Sequence, residues 1–462
     1  MTTNNKSRLL PIIVMVILFG IISFVTNLAA PMGVIVKAQF QFSNFLGILG
    51  SCANFLAYAC MGIPSGILLQ KYGYRKTALT GIAIGLVGVF IQYLSGVFSS
   101  FTIYLTGAFV AGFSMCVLNT VVNPMLNTLG GGGNKGNQLI QVGGSFYSFM
   151  GIVTPIFVGA LVGEVTKNTV ISNVNPLLFM AMGIFAMTFV ALLSLRLPEP
   201  DLSPSPSPQG RGVDTHDSST QTHELSQTHQ RKYSAWSFRH FVLGSIGVSC
   251  SVGVEVGIAG TMNLFLTDMT VGVGGKLTAE VAGFVTGTYF LLMVVGRFIG
   301  ASVGARVSGR TMLASAMTLG IALLLAAIFL PVTVRTPFPV FTGGSFVIAD
   351  VPINALFLVL TGLCTSVMWG CVYNLAVDGL GKYLASASGI FMMMVGGGAL
   401  LMMAQNQIAD MISYMASYWV PLAGFAYLLF YALKGSVNVN KDIPIEPQTT
   451  KIDMGRSEKF LP

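Results

Sequence analysis

Few residues in this chain could do chemistry, and those that could lie in apolar surroundings. Glu255 sits near the middle of Phe241 to Asp268, FVLGSIGVSCSVGVEVGIAGTMNLFLTD, a stretch about as long as a bilayer is thick. A charge at the centre of hydrocarbon costs roughly 2.5 to 3.5 kcal/mol even on lenient insertion scales. An acid placed there therefore faces a protein interior or a watery cavity and marks an ion or substrate path. The alternative is a carboxyl that stays protonated and bonds a neighbouring helix. The other acids fall in loops, tails or helix ends.

Amides form the second group. Asn119, Asn123 and Asn127 recur every four residues, which aligns them down one helical face. Three amides are expensive to leave unpaired in lipid, so this face points to a wet interior. Asn27 lies four residues before Pro31; a lone buried amide is either helix-to-helix glue or a ligand contact.

These residues require membrane helices to position them. Of 462 residues, 53% are apolar and 9% charged, far from the roughly 25% charged of soluble domains. Apolar segments of spanning length occur near 9–35, 44–69, 77–96, 102–127, 139–163, 175–196, 241–267, 278–302, 311–331, 353–377, 386–408 and 416–434. The fold expected is an all-α membrane protein with twelve transmembrane helices. The first segment is too long for a signal peptide's apolar region and is read as retained.

The net charge of +8 does not indicate nucleic acid, because its distribution follows the positive-inside rule. With the N-terminus cytoplasmic, Lys6, Arg8, Lys71, Arg75, Lys76, Lys135, Arg196, Arg306, Arg310 and Lys382 fall inside, leaving Lys37, Lys167, Lys276 and Arg335 outside. Both termini are then cytoplasmic. The six cysteines lie inside apolar segments without zinc or disulfide spacing. No nucleophile, base and oxyanion donors share one site, so an enzyme is not expected; nor is a metal or cofactor.

Residues 197–240 change character to Pro, Ser, Thr, Gln and His and read as a disordered cytoplasmic linker. It divides two six-helix bundles, 1–196 and 241–434, followed by a tail at 435–462. The halves echo each other weakly: Asn123 to Leu129-Gly130 matches Asn374 to Leu380-Gly381.

Gly66, then Gln70-Lys71-Tyr72-Gly73-Tyr74-Arg75, resembles the loop signature between helices two and three of the major facilitator superfamily, with Gln70 where Asp is usual. Other stretches resemble its fucose, galactose and glucose permease family of proton-coupled sugar symporters. They are Asn123-Pro124, Val252 to Val256 around Glu255, Thr286-Gly287-Thr288, Gly296-Arg297-Phe298, Gly362 to Met368, and Leu375-Ala-Val-Asp378-Gly-Leu-Gly381-Lys-Tyr383.

The resemblance implies alternating-access import of a sugar or sugar derivative across the inner membrane by a protein working as a monomer in the lipid bilayer. A proton or sodium ion would couple through Glu255. Sugar hydroxyls would be met by Asn27, Asn119, Asn123, Thr365 and Glu255, and the apolar sugar face by Tyr147 and Trp369, with Tyr58 and Tyr373 as further plates. Gates would involve Gly66, Gln70 and Arg75. Independently of the resemblance, Arg297 and Asp378 both fall near cytoplasmic helix ends of the second half and are expected to pair across the inner gate when it closes. The chain departs from the family where acids of the fucose branch match Ala30 and Asn119, where a Gln matches Gly144, and where an Asn matches Thr365. Trp369-Gly370 also replaces Phe-Pro. Other readings are an uncoupled facilitator, a proton-driven exporter, faintly suggested by Gly151, Pro155 and Gly159, and a sensor that binds without transport.

Overall fold

The computed structural model describes residues 3–40, 44–162, 170–194, 233–268, 274–342, 345–440, 442, 443 and 445. Most of the expected linker and tail, and the Pro155 and Gly159 side-chain positions, lie outside the described residues. The linker's last residues do not: 233–240 form a turn at Ala235–Ser237 and enter the next helix.

The first part comprises α1 (Thr3–Phe40), α2 (Asn44–Val97), α3 (Phe101–Leu129), α4 (Gly133–Val162) and α5 (Asn175–Ser194). The second begins with α6 (Arg239–Thr267), α7 (Ala279–Val303) and α8 (Gly309–Phe329). Hydroxyl caps start several of them: Ser100 Oγ accepts from the Ile103 amide and Ser308 Oγ from the Thr311 amide, satisfying N–H groups that a helix start leaves free.

Continuous helix over Asn44–Val97 hides a break. Gly73 has φ 77° and ψ 178°, a region open in practice to glycine alone. It turns the chain inside the short basic signature, so the two apolar runs there are separate rods.

Ten stretches of the described residues are long and apolar enough to cross a membrane, the Gly73 pair counting as one. Large apolar side chains such as Met187, Leu319 and Phe329 stay on the outer surface, as a lipid-facing wall requires.

The expectation of an all-α chain needs one correction. Between α8 and α9 (Ile353–Thr365) the chain forms an antiparallel hairpin of β1 (Arg335–Thr342) and β2 (Ser345–Pro352), with Arg335 opposite Pro352 and Thr342 opposite Ser345. Phe338 and Val340 bury one side of it, the period-2 alternation of a half-buried strand.

The expected span 353–377 is also divided: α9 ends at Thr365 and α10 (Met368–Val377) begins after Ser366-Val367. The span near 386–408 becomes α11 (Leu384–Val395) and α12 (Gly397–Met411), parted at Gly396 within a run of three glycines. A short α13 (Tyr414–Ser417) leads into α14 (Trp419–Phe430), which ends in a π turn.

The two parts touch mainly near the ends that carry the basic loops. There α2 crosses α11: a Cβ on Gly66 would meet the Ala385 carbonyl and the Gly389 Cα, both at 3.0 Å. Farther along, α4 packs on α7 and α10.

Gly73→Ala should cost about 1–3 kcal/mol, the strain of forcing a Cβ into that backbone region. A lower thermal midpoint in detergent is expected; an unchanged midpoint would show that the turn relaxes without glycine.

Candidate functional site

Where the parts meet, a polar floor is built from both. Glu255 stands mid-α6, its side chain 20% exposed, with Oε1 3.4 Å from Nη2 of Arg297, whose side chain is 6% exposed. Arg297 spreads its guanidinium over several acceptors. Nη1 donates to the Gly144 carbonyl of α4 at 2.9 Å and Nε to the Ser366 carbonyl at 3.3 Å. Its head also lies 5.8 Å from the Tyr147 ring, within the reach of a cation–π contact. A buried ion pair persists only when further hydrogen bonds satisfy the charges, and these carbonyls serve that purpose for Arg297.

The glycine at 144 makes this possible. A Cβ there would lie 3.6 Å from Arg297 Cδ, so any longer side chain would occupy the space the guanidinium fills. Where the family resemblance implies a Gln, this chain has open room and an arginine from the other half.

Around the pair the amides fall in order. Asn119 Nδ2 donates to the Tyr58 hydroxyl at 2.8 Å. Asn123 Nδ2 donates to the Asn119 carbonyl at 2.9 Å, and its Oδ1 accepts from the Trp369 indole at 3.0 Å. That last bond runs from α3 to α10 and crosses between the halves. Trp369 is braced edge-on by Phe391, and Phe391 by Tyr373. On the α1 side, Asn27 Nδ2 donates to the carbonyl and hydroxyl of Ser23, and the Ser23 hydroxyl bonds the Tyr147 carbonyl. Thr365 Oγ1 lies 3.1 Å from the Tyr289 hydroxyl, which donates to the Glu255 carbonyl.

The structure thus sets Glu255 and Tyr147 against Arg297, links Thr365 to Glu255 through Tyr289 and Asn27 to Tyr147 through Ser23, and joins Asn119 and Asn123 to Trp369. Three side chains cross between the halves here: Arg297 to Gly144, Trp369 to Asn123, and Gln141 Nε2 to the Val367 carbonyl at 3.2 Å. Hydrogen bonds between membrane helices are worth about 0.6 to 2 kcal/mol each, enough to hold an interface and few enough to release it.

The residues expected at gates fare differently. Gly66 is at the α2–α11 crossing. Gln70 is exposed, and Arg75 bonds the Leu192 carbonyl at 3.2 Å and the Leu193 carbonyl, closing the end of α5 in its own half. Arg297 and Asp378 are not brought together. The ion partner of Arg297 is Glu255, while Asp378 is exposed and its backbone carbonyl pairs with His240 Nε2. The physical reason is depth: Arg297 lies six residues inside α7, where an unpaired cation costs too much.

Sequence reasoning gave no role to Tyr289 or Gln141. For Tyr289 a signal exists, since Tyr289, Met293 and Arg297 recur every four residues on one face. For Gln141 none does, because its acceptor is a backbone carbonyl at the α9–α10 break, shared with the Cys371 amide. Among the described residues no group of three or more His, Cys, Asp or Glu converges.

The model of the Major Facilitator Superfamily matches residues 12–433. A glucose/galactose transporter of Brucella abortus biovar 1 (strain 9-941) is 27% identical over 444 residues, 94% of this chain and 96% of that protein. A putative glucose/galactose transporter of Helicobacter pylori (strain J99) is 26% identical over 449 residues, 94% of this chain and 98% of that one. The L-fucose-proton symporter of Escherichia coli (strain K12) is 21% identical over 455 residues, 93% and 94% respectively. Among solved structures, the E. coli transporter FucP in its outward conformation superposes with a TM-score of 0.73 at 19% identity, over 92% of this chain and 98% of that one. The sugar-permease resemblance read from the motifs is met by these relatives.

Removing Arg297 strands Glu255. Arg297→Gln should destabilise by about 3 kcal/mol, the low end for breaking a buried pair because Glu255 is partly exposed. Adding Glu255→Gln should restore at least half of it. Thermal unfolding of both variants in detergent measures this; a single variant as stable as wild type would show the pair to be energetically idle.

Proposed function

Since this chain belongs to the Major Facilitator Superfamily, a superfamily of transporters rather than enzymes, we propose that it imports a sugar or sugar derivative across the bacterial inner membrane by alternating access. Counting Ala53–Val97 as two spans and adding α4 to the ten apolar stretches makes twelve. They form two six-helix bundles, 1–196 and 241–434, joined by a cytoplasmic linker at 197–240 and followed by a cytoplasmic tail at 435–462. With both termini cytoplasmic, the basic end faces the cytoplasm. The closed contacts between the halves then lie at the inner side.

The reading of a sugar as substrate draws on the relatives, described as glucose/galactose transporters and a fucose-proton symporter, and on the chemistry of the floor. Asn27, Asn119, Asn123 and Thr365 offer amides and a hydroxyl to sugar hydroxyls, and Tyr147 and Trp369 offer aromatic faces. Buried polar groups built for hydroxyls discriminate because a wrong ligand leaves them unpaired.

The observation that carries the mechanism is the branching of Arg297, one side chain that bonds both the membrane-embedded acid and the opposite half. A proton arriving at Glu255 cancels its pull on Arg297, and the guanidinium must then reorganise together with its bond to Gly144. Sodium at the same carboxylate would act alike. Moving one charge across about 100 mV is worth about 2.3 kcal/mol, roughly fifty-fold accumulation, and comparable with the few cross-half hydrogen bonds that must break.

A second reading has its own support. Asn119 cannot titrate, and Glu255 is already neutralised by Arg297, as in a facilitator that only equilibrates its substrate. Uptake of labelled glucose, galactose and fucose into proteoliposomes separates the two, with a pH gradient, a sodium gradient or neither. Gradient-driven accumulation by wild type, reduced to equilibration in Glu255→Gln, is expected. Equal equilibration by both would leave a facilitator, and loss of preloaded sugar under an inward proton gradient would make the protein an exporter.

A further inference from the structure

Between the Arg297 floor and the basic end, the halves meet through amides where leucines would have sealed better. Asn137 of α4 is fully buried; its amide lies against the Cys371 thiol, a weak partner, and finds no nitrogen or oxygen group to bond. It faces Gly370 of α10, where an added Cβ would stand 3.4 Å from Asn137 Oδ1 and 2.6 Å from Gln141 Nε2. Asn374, one turn beyond Gly370, is 6% exposed with Oδ1 unpartnered.

The two asparagines approach from opposite halves: a Cβ on Gly309 would lie 3.7 Å from Asn374 Nδ2 and 3.9 Å from Asn137 Nδ2. Asn127, 8% exposed, also has an unpartnered Oδ1. Because Asn127 continues the face of Asn119 and Asn123, an amide stripe runs from the floor to this place.

Each buried amide atom without a partner weakens the closed seal, since removing a polar group from water without replacing its bond is costly. A plug alone would need none of them. No carboxylate joins the group, which disfavours a cation, whereas neutral amides that donate and accept suit hydroxyls.

We propose that Asn127, Asn137, Gln141 and Asn374 form a second, inner binding site for a neutral polyhydroxylated substrate, hidden between the halves in this conformation and uncovered as the basic end opens. The proposal rests on the sugar-transport reading. It makes the path from floor to cytoplasm two-step: the substrate leaves the floor amides for a set that the parting of the halves has just freed.

Cys371 provides a native reporter. It is fully buried, and its Sγ lies 3.9 Å from Gln141 Nε2, so it should react with N-ethylmaleimide only when the halves separate. Its alkylation would be followed by peptide-resolved mass spectrometry of the full chain in proteoliposomes, with whichever of glucose, galactose or fucose the wild type takes up. The sugar should slow Cys371 alkylation from the cytoplasmic side. In Asn137→Leu, and separately in Asn374→Leu, that protection should weaken about fivefold, the worth of roughly one hydrogen bond. Sugar affinity from the outer side should stay unchanged, which also shows that the variants fold.

Protection unchanged in both variants, or Cys371 alkylation that sugar never affects while wild type still transports it, would overturn the inner site alone. Faster sugar-free alkylation in both variants would also overturn it, by showing the amides to be ties that hold the halves. A wild type that takes up none of the three sugars would sink the sugar reading and this proposal with it.

Discussion

The structure depends on where one guanidinium can go. Arg297 is a permanent charge inside a membrane protein, and in low dielectric it must be met by an acid and by carbonyls or it cannot stay. Glu255 comes from α6, Ser366 from the break between α9 and α10, and Gly144 from the opposite half. Satisfying a single side chain therefore fixes the depth of α6 against α7, keeps a helix interrupted, and draws the two halves together. The glycine at 144 is the other side of the same constraint, since a side chain longer than a methyl there would take the volume Arg297 needs.

The interface beside this node is polar and sparse. Apolar contact between membrane helices has little driving force, because lipid is as apolar as leucine, so specific bonds and close glycine contacts decide which helices stay together. Gly66 against Gly389 supplies close approach, and Arg297, Trp369 and Gln141 supply bonds. None of these is strong enough to be permanent.

Much of the architecture was legible in the sequence because hydrocarbon imposes it on a local scale. Apolar runs of bilayer length, the basic loops and the change of composition after residue 196 need no knowledge of neighbours. Glu255 stood out for the same reason, as an acid where acids are expensive, and the spacing of Asn119, Asn123 and Asn127 placed them on one face. The turn at Gly73 was visible as a motif, although its positive φ was not.

What the sequence by itself determined is which residues must be buried and on which rods, since burial follows from composition and helical period. Which residues meet was decided by tertiary structure. Arg297 is expected to pair with Asp378 because both fall near cytoplasmic helix ends, yet the fold turns it to Glu255 and Gly144, because solvation is settled by what lies nearby in three dimensions. The α9–α10 break, the partners of Gln141 and the β1–β2 hairpin belong to the same class. Each exists because a group from a distant part of the chain satisfies or covers it, and no local pattern encodes where such a group will arrive.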